Sequence, residues 1–149
     1  MSELQEVIIY TRGISDWSGT GGYASTLIFG KHRKELSGSF QKTTNNRMDI
    51  QASIEGLKSL KSKCRVKIYN HNLYLVESMA KGWVQRWKEK NWKNKENEET
   101  ANCDLWEQLL DLASQHEVEF IWIKKGSNNK ESNYCDRLAQ EAVIKVCPV

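Results

Sequence analysis

The segment Thr43-Thr44-Asn45-Asn46-Arg47-Met48 separates two differently patterned parts of the chain. Its polar residues end a run of strand-like sequence, and Asn45 or Asn46 is suited to cap the N-terminus of a helix. Beyond it, apolar residues recur at the 3.6-residue spacing of an amphipathic helix. The segment therefore predicts the start of the first helix. The apolar positions of that helix are Met48, Ile50, Ile54, Leu57 and Leu60.

Three strands are predicted before this helix, and helices alternate with strands after it. Short apolar runs bounded by glycine or polar residues indicate the strands, and apolar residues three or four apart indicate the helices. The order β-β-β-α-β-α-α-α-β-α predicts an α/β fold with a five-stranded mixed sheet and helices on both faces. Strands are expected at 7–11, 23–29, 34–41, 65–70 and 118–123, and later helices at 73–80, 83–92, 104–115 and 133–146.

Length and composition are typical of one domain, which we expect to span residues 1–149. The chain is 39% hydrophobic and 28% charged, which suffices for a single core. No apolar run reaches 18 residues and the first residues lack the features of a signal peptide, so we expect no membrane association. The cysteines have no CxxC spacing and are interpreted as reduced thiols of a cytoplasmic protein. They are Cys64, Cys103, Cys135 and Cys147. We also expect the protein to be a monomer.

The basic residues are unevenly distributed along the chain. The formal net charge is +3, but residues 81–95 hold six Lys or Arg against one acid, whereas residues 101–123 hold five acids and no Lys or Arg. Such pooling is typical of proteins that present a positive face to nucleic acid. A lysine-rich surface that simply faces water is the alternative interpretation.

Six strings, in the same order and at similar spacing, resemble the type 1 ribonuclease H family over nearly the whole chain. They are Ile9-Tyr10-Thr11-x-Gly13, Gly21-Gly22-Tyr23, Thr43-Thr44-Asn45-Asn46-Arg47-Met48, Trp83-x3-Trp87-x4-Trp92, Asp104-Leu105-Trp106 and Cys135-Asp136-x-Leu138-Ala139. The resemblance implies a ribonuclease H-like fold. It also implies cleavage of the RNA strand of RNA/DNA hybrids by two divalent ions, Mg²⁺ or Mn²⁺, held by four carboxylates.

The sequence departs from the family pattern at the positions that would hold the metals. The family has an aspartate where this chain has Arg12, a glutamate at Asp49 and an aspartate at the place we assign to His71. Gly126 stands where the family has an assisting histidine, and only Asp136 is unchanged. The site therefore resembles a degenerate version of the family's two-metal site.

Charge arithmetic argues against a metal pair. Asp49 and Asp136 supply −2 and Arg12 returns +1, so the net charge is −1. This cannot balance the +4 of two Mg²⁺ ions, which also prefer oxygen ligands to a histidine such as His71. We expect no cofactor, with Mg²⁺ or Mn²⁺ bound only if some activity remains. Asp49 and Asp136 are then the candidate ligands, with His71 as a further one if the ion is zinc. We expect Arg12 to form a salt bridge with one or both aspartates.

The residues that contact nucleic acid in the family are better preserved. The resemblance assigns Thr44 and Arg47 to a phosphate-contacting pocket and Asn45 to the minor groove of the hybrid, and orphan N–H groups at a helix start favour anions. The segment 81–100 matches the family's basic, aromatic protrusion, although its tryptophans are also suited to packing. The loop from Gly13 to Gly19 lacks the family's Gly-Asn-Pro-Gly pattern. Candidate contacts in the protrusion are Trp83, Arg86, Trp87, Lys88 and Lys90.

Three functions remain open at this point. The first is a catalytically inactive ribonuclease H-like protein that binds RNA/DNA hybrid or another duplex. The second is a scaffold that uses the same fold to bind a protein partner. The third is a metal-dependent ribonuclease H, an endonuclease that retains some or altered activity against hybrids.

Overall fold

A five-stranded mixed sheet forms the centre of the protein in the computed structural model, which describes residues 4–146 apart from Lys95 and Asn97. The strand order is β3-β2-β1-β4-β5. Strands β1, β2 and β3 form an antiparallel meander, while β4 runs parallel to both β1 and β5. This confirms the predicted mixed sheet. The strands are β1 (Gln5–Ser15), β2 (Gly21–Phe29), β3 (His32–Phe40), β4 (Cys64–Asn70) and β5 (Glu117–Trp122).

Five helices cover the two faces of this sheet, as predicted. Alternate side chains of a strand point to opposite faces, and in β1 they meet different helices. Ile9 lies in the main core with residues of α1, α2 and α4, whereas Tyr10 and Ile14 pack beside residues of α5. The helices are α1 (Asn45–Lys58), α2 (Leu73–Ala80), α3 (Trp83–Glu89), α4 (Cys103–Ser114) and α5 (Lys130–Val146).

Strand β1 is longer than the sequence predicts. Its pairing with β2 continues from Ile8 opposite Ile28 to Ser15 opposite Gly21. The hydrogen bonds of this hairpin hold the chain extended well past the apolar run at 7–11, which the apolar pattern alone does not show. Arg12 therefore lies inside β1, opposite Ala24, whereas the predicted strand 7–11 ends before it.

Helix α5 also begins earlier than predicted, at Lys130. The side chain of Asn129 accepts a hydrogen bond of 2.8 Å from the backbone N–H of Ser132 and so caps the helix. The first turn of α5 is polar, which is why apolar spacing placed its start at residue 133.

Gly13 brings β1 and α1 into close contact. A Cβ atom at this position would lie 2.1 Å from the backbone nitrogen of Asp49 and 2.2 Å from the backbone carbonyl carbon of Met48. No side chain fits there without moving the helix or the strand. The absence of a side chain at Gly13 therefore sets how near Asp49 lies to the middle of the sheet.

The helix lengths and the cysteines bear on two expectations from the sequence, for the described residues alone. None of the helices formed by these residues is long and apolar enough to cross a membrane. Cys64, Cys103 and Cys135 are free thiols, and Cys147 lies outside the described residues.

We expect Gly13→Ala to lower the free energy of unfolding by about 3 kcal/mol or more, because the added methyl group overpacks the contact between β1 and α1. Gly30→Ala is the matched control, since Gly30 has a φ of +60° but open space around its Cβ position. Gly30→Ala should lower the free energy of unfolding by only about 1 kcal/mol, because it adds backbone strain but no steric clash. Urea denaturation of both variants measures the difference, and equal losses would contradict this account of Gly13.

Candidate active-site cleft and nucleic-acid interface

Asp49 lies in a buried polar pocket beside the middle of the sheet. It projects from the first turns of α1 and is only 2% exposed. Its Oδ1 accepts hydrogen bonds from the backbone N–H of Gly13 at 2.7 Å and from Asn70 Nδ2 at 3.2 Å. Its Oδ2 accepts one from Asn72 Nδ2 at 3.1 Å. Both carboxylate oxygens are therefore engaged by N–H donors of the protein itself.

The pKa of Asp49 is raised above its ordinary value of 3.8. Burial is the largest cause, because it removes water from the charged carboxylate. The hydrogen bonds from Asn72 and Asn70 oppose the rise, as do the positive charge of Arg12 and the bond from Gly13. The donors around Asp49 thus stabilise its charge only in part.

Arg12 and Asp136 form an ion pair on the opposite face of β1. The Nε of Arg12 donates to Asp136 Oδ1 at 2.8 Å, and the two side chains are 17% and 33% exposed. Gln140, one turn further along α5, donates from Nε2 to Asp136 Oδ2 at 2.9 Å. The salt bridge predicted from the sequence is present, with Asp136 as its partner, and it occupies the carboxylate with protein donors.

The residues present do not fit a pair of divalent ions. Every oxygen of Asp49 and Asp136 accepts a hydrogen bond from the protein, and the guanidinium of Arg12 adds a permanent positive charge. Within the described part of the chain, no three His, Cys, Asp or Glu side chains are grouped so as to hold a metal ion. Divalent ions need hard, negatively charged oxygen ligands, and this cleft offers them amide and guanidinium donors.

His71 lies towards α5, the helix that also carries Asp136, and its ring bonds to residues other than Asp49. Its ring lies between β5 and α5, where Nδ1 is 2.9 Å from the carbonyl oxygen of Ile123 and Nε2 is 2.7 Å from Ser132 Oγ. Because a carbonyl oxygen only accepts, Nδ1 carries the proton and Ser132 donates to Nε2. Alternation along the chain turns residue 71 away from the face that residues 70 and 72 share.

Asn70 and Asn72 are the residues that the sequence analysis missed. Asn70 is 1% exposed and its Nδ2 also donates to Thr11 Oγ1 at 2.8 Å. Asn72 caps α2 by accepting a bond from the N–H of Leu75. The signal was available, because the polar residues of Asn70-His71-Asn72 follow the carboxyl end of a strand parallel to β1. The sequence analysis singled out His71 because the family pattern has an aspartate at that place, and it did not consider what the asparagines on either side would contact.

Gly126 lies in the exposed loop between β5 and α5. Its φ of +86° is in the left-handed region that glycine adopts without strain. The backbone N–H of Ser127 bonds to the carbonyl oxygen of Lys124 at 3.1 Å and closes a turn around it. The loop thus has a defined shape but presents no titratable group at residue 126.

The start of α1 presents exposed polar groups beside the β1–β2 loop. Thr44 rather than an asparagine is the N-cap, with its Oγ1 accepting from the backbone N–H of Arg47 at 3.2 Å. Asn45 Oδ1 accepts from Ser15 Oγ at 3.0 Å. Thr44 and Asn45 are both exposed, so the structure leaves them accessible to a ligand at the positive end of the helix dipole.

Arg47 is held by α4. Its NH1 and NH2 atoms form a bidentate pair with Asp104, at 3.0 and 2.8 Å, and NH1 also donates to Asn102 Oδ1 at 3.1 Å. This pairing raises the pKa of Arg47 and lowers that of Asp104. Arg47 therefore joins α1 to α4, and a phosphate at this point would have to share it with Asp104.

The protrusion separates into packed aromatic residues and exposed cations. Trp87 lies 5.9 Å, ring to ring, from the buried Trp106 and 6.3 Å from Tyr74. Trp92 also packs against the main core, whereas the half-buried Trp83 has Lys81 Nζ 5.7 Å from its ring centre. Trp87, a candidate contact to nucleic acid, thus also packs within the fold, and its contact with nucleic acid stays a prediction. Arg86, Lys88 and Lys90 are exposed, and none pairs with a carboxylate of the described residues within 4.0 Å.

We expect the stability of the protein to depend on the charge of Asp49. The folded protein holds the Asp49 proton to a higher pH than the unfolded chain does, because its pKa is raised on folding. Stability should therefore fall as the pH rises from about 4 through the raised pKa. Asp49→Asn removes the titrating carboxyl group. The difference in the free energy of unfolding between wild type and variant should therefore change between about pH 4 and the raised pKa of Asp49. Urea denaturation at several pH values measures it, and a pH-independent difference would contradict the raised pKa.

Comparison with known sequences matches nearly the whole chain to ribonucleases H. The RNase H family model matches residues 4–144. Ribonuclease H of Rippkaea orientalis is 50% identical over 139 residues, which cover 93% of this chain and 85% of that protein. Ribonuclease H of Syntrophus aciditrophicus is also 50% identical over 139 residues, covering 93% of this chain and 80% of its own length.

Solved structures agree with this fold. LC9-RNase H1, a type 1 RNase H with the type 2 active-site motif, superposes with a TM-score of 0.85 at 23% identity, over 97% of this chain and 75% of its own. LC11-RNase H1, solved in complex with an RNA/DNA hybrid, gives 0.71 at 19% identity, over 94% and 98%. At such identities the structures bear on the fold alone. Because the family model spans almost the whole chain and relatives share half of its residues, this protein belongs to the type 1 ribonuclease H family.

Proposed function

We propose that this protein binds RNA/DNA hybrids, or a closely related duplex, without cutting them. The observation that carries the proposal is the ion pair of Arg12 with Asp136 in a cleft where the family is expected to hold metal ions. Hydrolysis by two metals requires carboxylates that are free to coordinate them. Here protein donors occupy the oxygens of both remaining carboxylates.

The binding half of the proposal is supported by surface charge. Arg86, Lys88 and Lys90 project from α3 and the residue after it, and all three are exposed. Thr44 and Asn45 present polar groups at the start of α1. Cations that neutralise phosphates supply most of the affinity of non-specific nucleic-acid binding, and solved relatives of this fold include one in complex with an RNA/DNA hybrid.

A second candidate function is metal-dependent cleavage of RNA in hybrids. The relatives favour it more than they favour an inactive protein, because those that are 50% identical are named ribonucleases H. In this case Mg²⁺ or Mn²⁺ would have to displace the protein donors from Asp49 and Asp136. The predicted protein-binding scaffold, the monomeric state and the cytoplasmic location stay predictions.

We expect no Mg²⁺- or Mn²⁺-dependent cleavage of a labelled RNA/DNA hybrid by the wild-type protein. Rebuilding the carboxylates through Arg12→Asp, Asp49→Glu and His71→Asp, at the three places where the family has acids, should create metal-dependent cleavage that a chelator abolishes. The matched control carries Arg12→Asn, Asp49→Gln and His71→Asn and should stay inactive, because it removes the guanidinium and the imidazole without adding a carboxylate. Cleavage by the wild type that requires the metal would establish the second candidate and refute the first.

We expect wild-type protein to bind the hybrid in the presence of a chelator, with an affinity that falls steeply as salt is added. Lys88→Glu with Lys90→Glu should weaken binding and reduce the slope of log K against log salt by about two units, one for each lost phosphate contact. Lys31→Glu with Lys34→Glu is the control with the same change in net charge. These residues lie at the β2–β3 turn, at the end of β2 far from Gly21. Equal loss in both variants would argue against the protrusion as the binding surface.

A further inference from the structure

Trp17 is almost completely exposed in the loop that joins β1 to β2. It is 99% exposed, whereas Trp106 is fully buried and Trp87 and Trp92 pack against the core. Indole has the largest apolar surface of any side chain, and its burial ordinarily stabilises a fold. The fold does not use Trp17 in this way, so its ring is available to a ligand.

Hydrogen bonds of the neighbouring residues hold the backbone of the loop around Trp17. Oδ1 of Asp16 accepts three hydrogen bonds, from the backbone N–H and hydroxyl of Ser18 at 2.9 and 2.6 Å and from the N–H of Thr20 at 3.1 Å. The backbone N–H of Asp16 bonds to the carbonyl oxygen of Thr20 at 2.8 Å and closes the turn. The hydrogen bond from Ser18 is also the main reason that the pKa of Asp16 is lowered, which keeps this carboxylate charged as an acceptor.

The same loop is attached to the start of α1. The carbonyl oxygen of Gly19 accepts from the backbone N–H of Thr43 at 2.8 Å, and Ser15 bonds to Asn45 at 3.0 Å. Trp17 therefore sits between two anchoring contacts to the polar surface that we assign to the duplex. Trp17, at the tip of this loop, is the most exposed large apolar side chain of the described residues.

The chemistry of an exposed indole at such a place is stacking on a nucleobase. Within a continuous duplex both faces of every base are covered by its neighbours, so an indole ring finds no face to stack on. An unpaired base beside the duplex offers one, and stacking on it does not depend on the sugar. We propose that Trp17 stacks on an unpaired nucleobase next to a bound hybrid, so that the protein prefers a hybrid carrying a single-stranded extension. The inference rests on the proposed binding of hybrids.

The experiment compares two hybrids that differ only in the bases of a single-stranded extension. One carries normal bases and the other abasic sites, so that the phosphate charge is the same. Affinities are measured by fluorescence anisotropy at fixed salt with a chelator present. Wild type should bind the base-bearing hybrid about tenfold more tightly than the abasic one, in line with the contribution of one stacked base.

Trp17→Ala should lose this preference, and Trp17→Phe should keep part of it because a smaller ring still stacks. Ile144→Ala is the control for removing an exposed apolar side chain, since Ile144 is 70% exposed on α5, and it should keep the full preference. Wild type that binds both hybrids equally, or Trp17→Ala that keeps the preference, would refute the stacking role while leaving hybrid binding intact. No binding of any hybrid would refute both proposals.

Discussion

The contact between Arg12 and Asp136 links the first strand of the sheet to the last helix, and the chemistry of the cleft depends on it. A guanidinium is planar, always charged and rich in donors, so it pairs with a carboxylate in a defined geometry. With an aspartate at residue 12, two acids would face each other across this gap and would need a cation between them. Arginine supplies that cation from within the chain. Asp49 is satisfied in a similar way on the other face of β1, where amide and backbone N–H groups take the place of further positive charge.

Much of the fold follows from short-range patterns that are visible in the chain. The apolar spacing after Asn46 predicts α1, and the order of strands and helices predicts the mixed sheet that the structure confirms. The ends of the strands and helices are predicted less well from these patterns. Strand β1 continues to Ser15 because β2 pairs with it, and α5 starts at Lys130 because Asn129 caps it. Pairing and capping depend on partners that spacing alone does not identify.

The candidate site likewise has residues that the sequence identifies and contacts that depend on distant parts of the chain. Arg12, Asp49 and Asp136 could be assigned from sequence because each occupies a recognisable string. The family resemblance places them in one cluster, and their opposite charges then predict the ion pair that the structure contains. The partners of His71 could not be predicted in this way, because its ring bonds to Ile123 and Ser132, which lie far along the chain. Arg47 and Trp87 are recognisable as types that contact nucleic acid, yet Asp104 and Trp106 engage them within the fold. Both partners lie in α4, far along the chain from α1.

The ion pair also has a consequence for how the protein responds to its medium. A cleft that is held together by divalent ions gains stability in proportion to RT ln(1 + [L]/Kd), about 2.7 kcal/mol when the ion is present at 100 times its Kd. Its shape then varies with the supply of metal and with chelators. In this protein the cation is a side chain 124 residues away from its anion, so its effective concentration is set by the fold and not by the solution. The cleft should keep one shape whether divalent ions are abundant or absent, which makes its geometry insensitive to metal homeostasis.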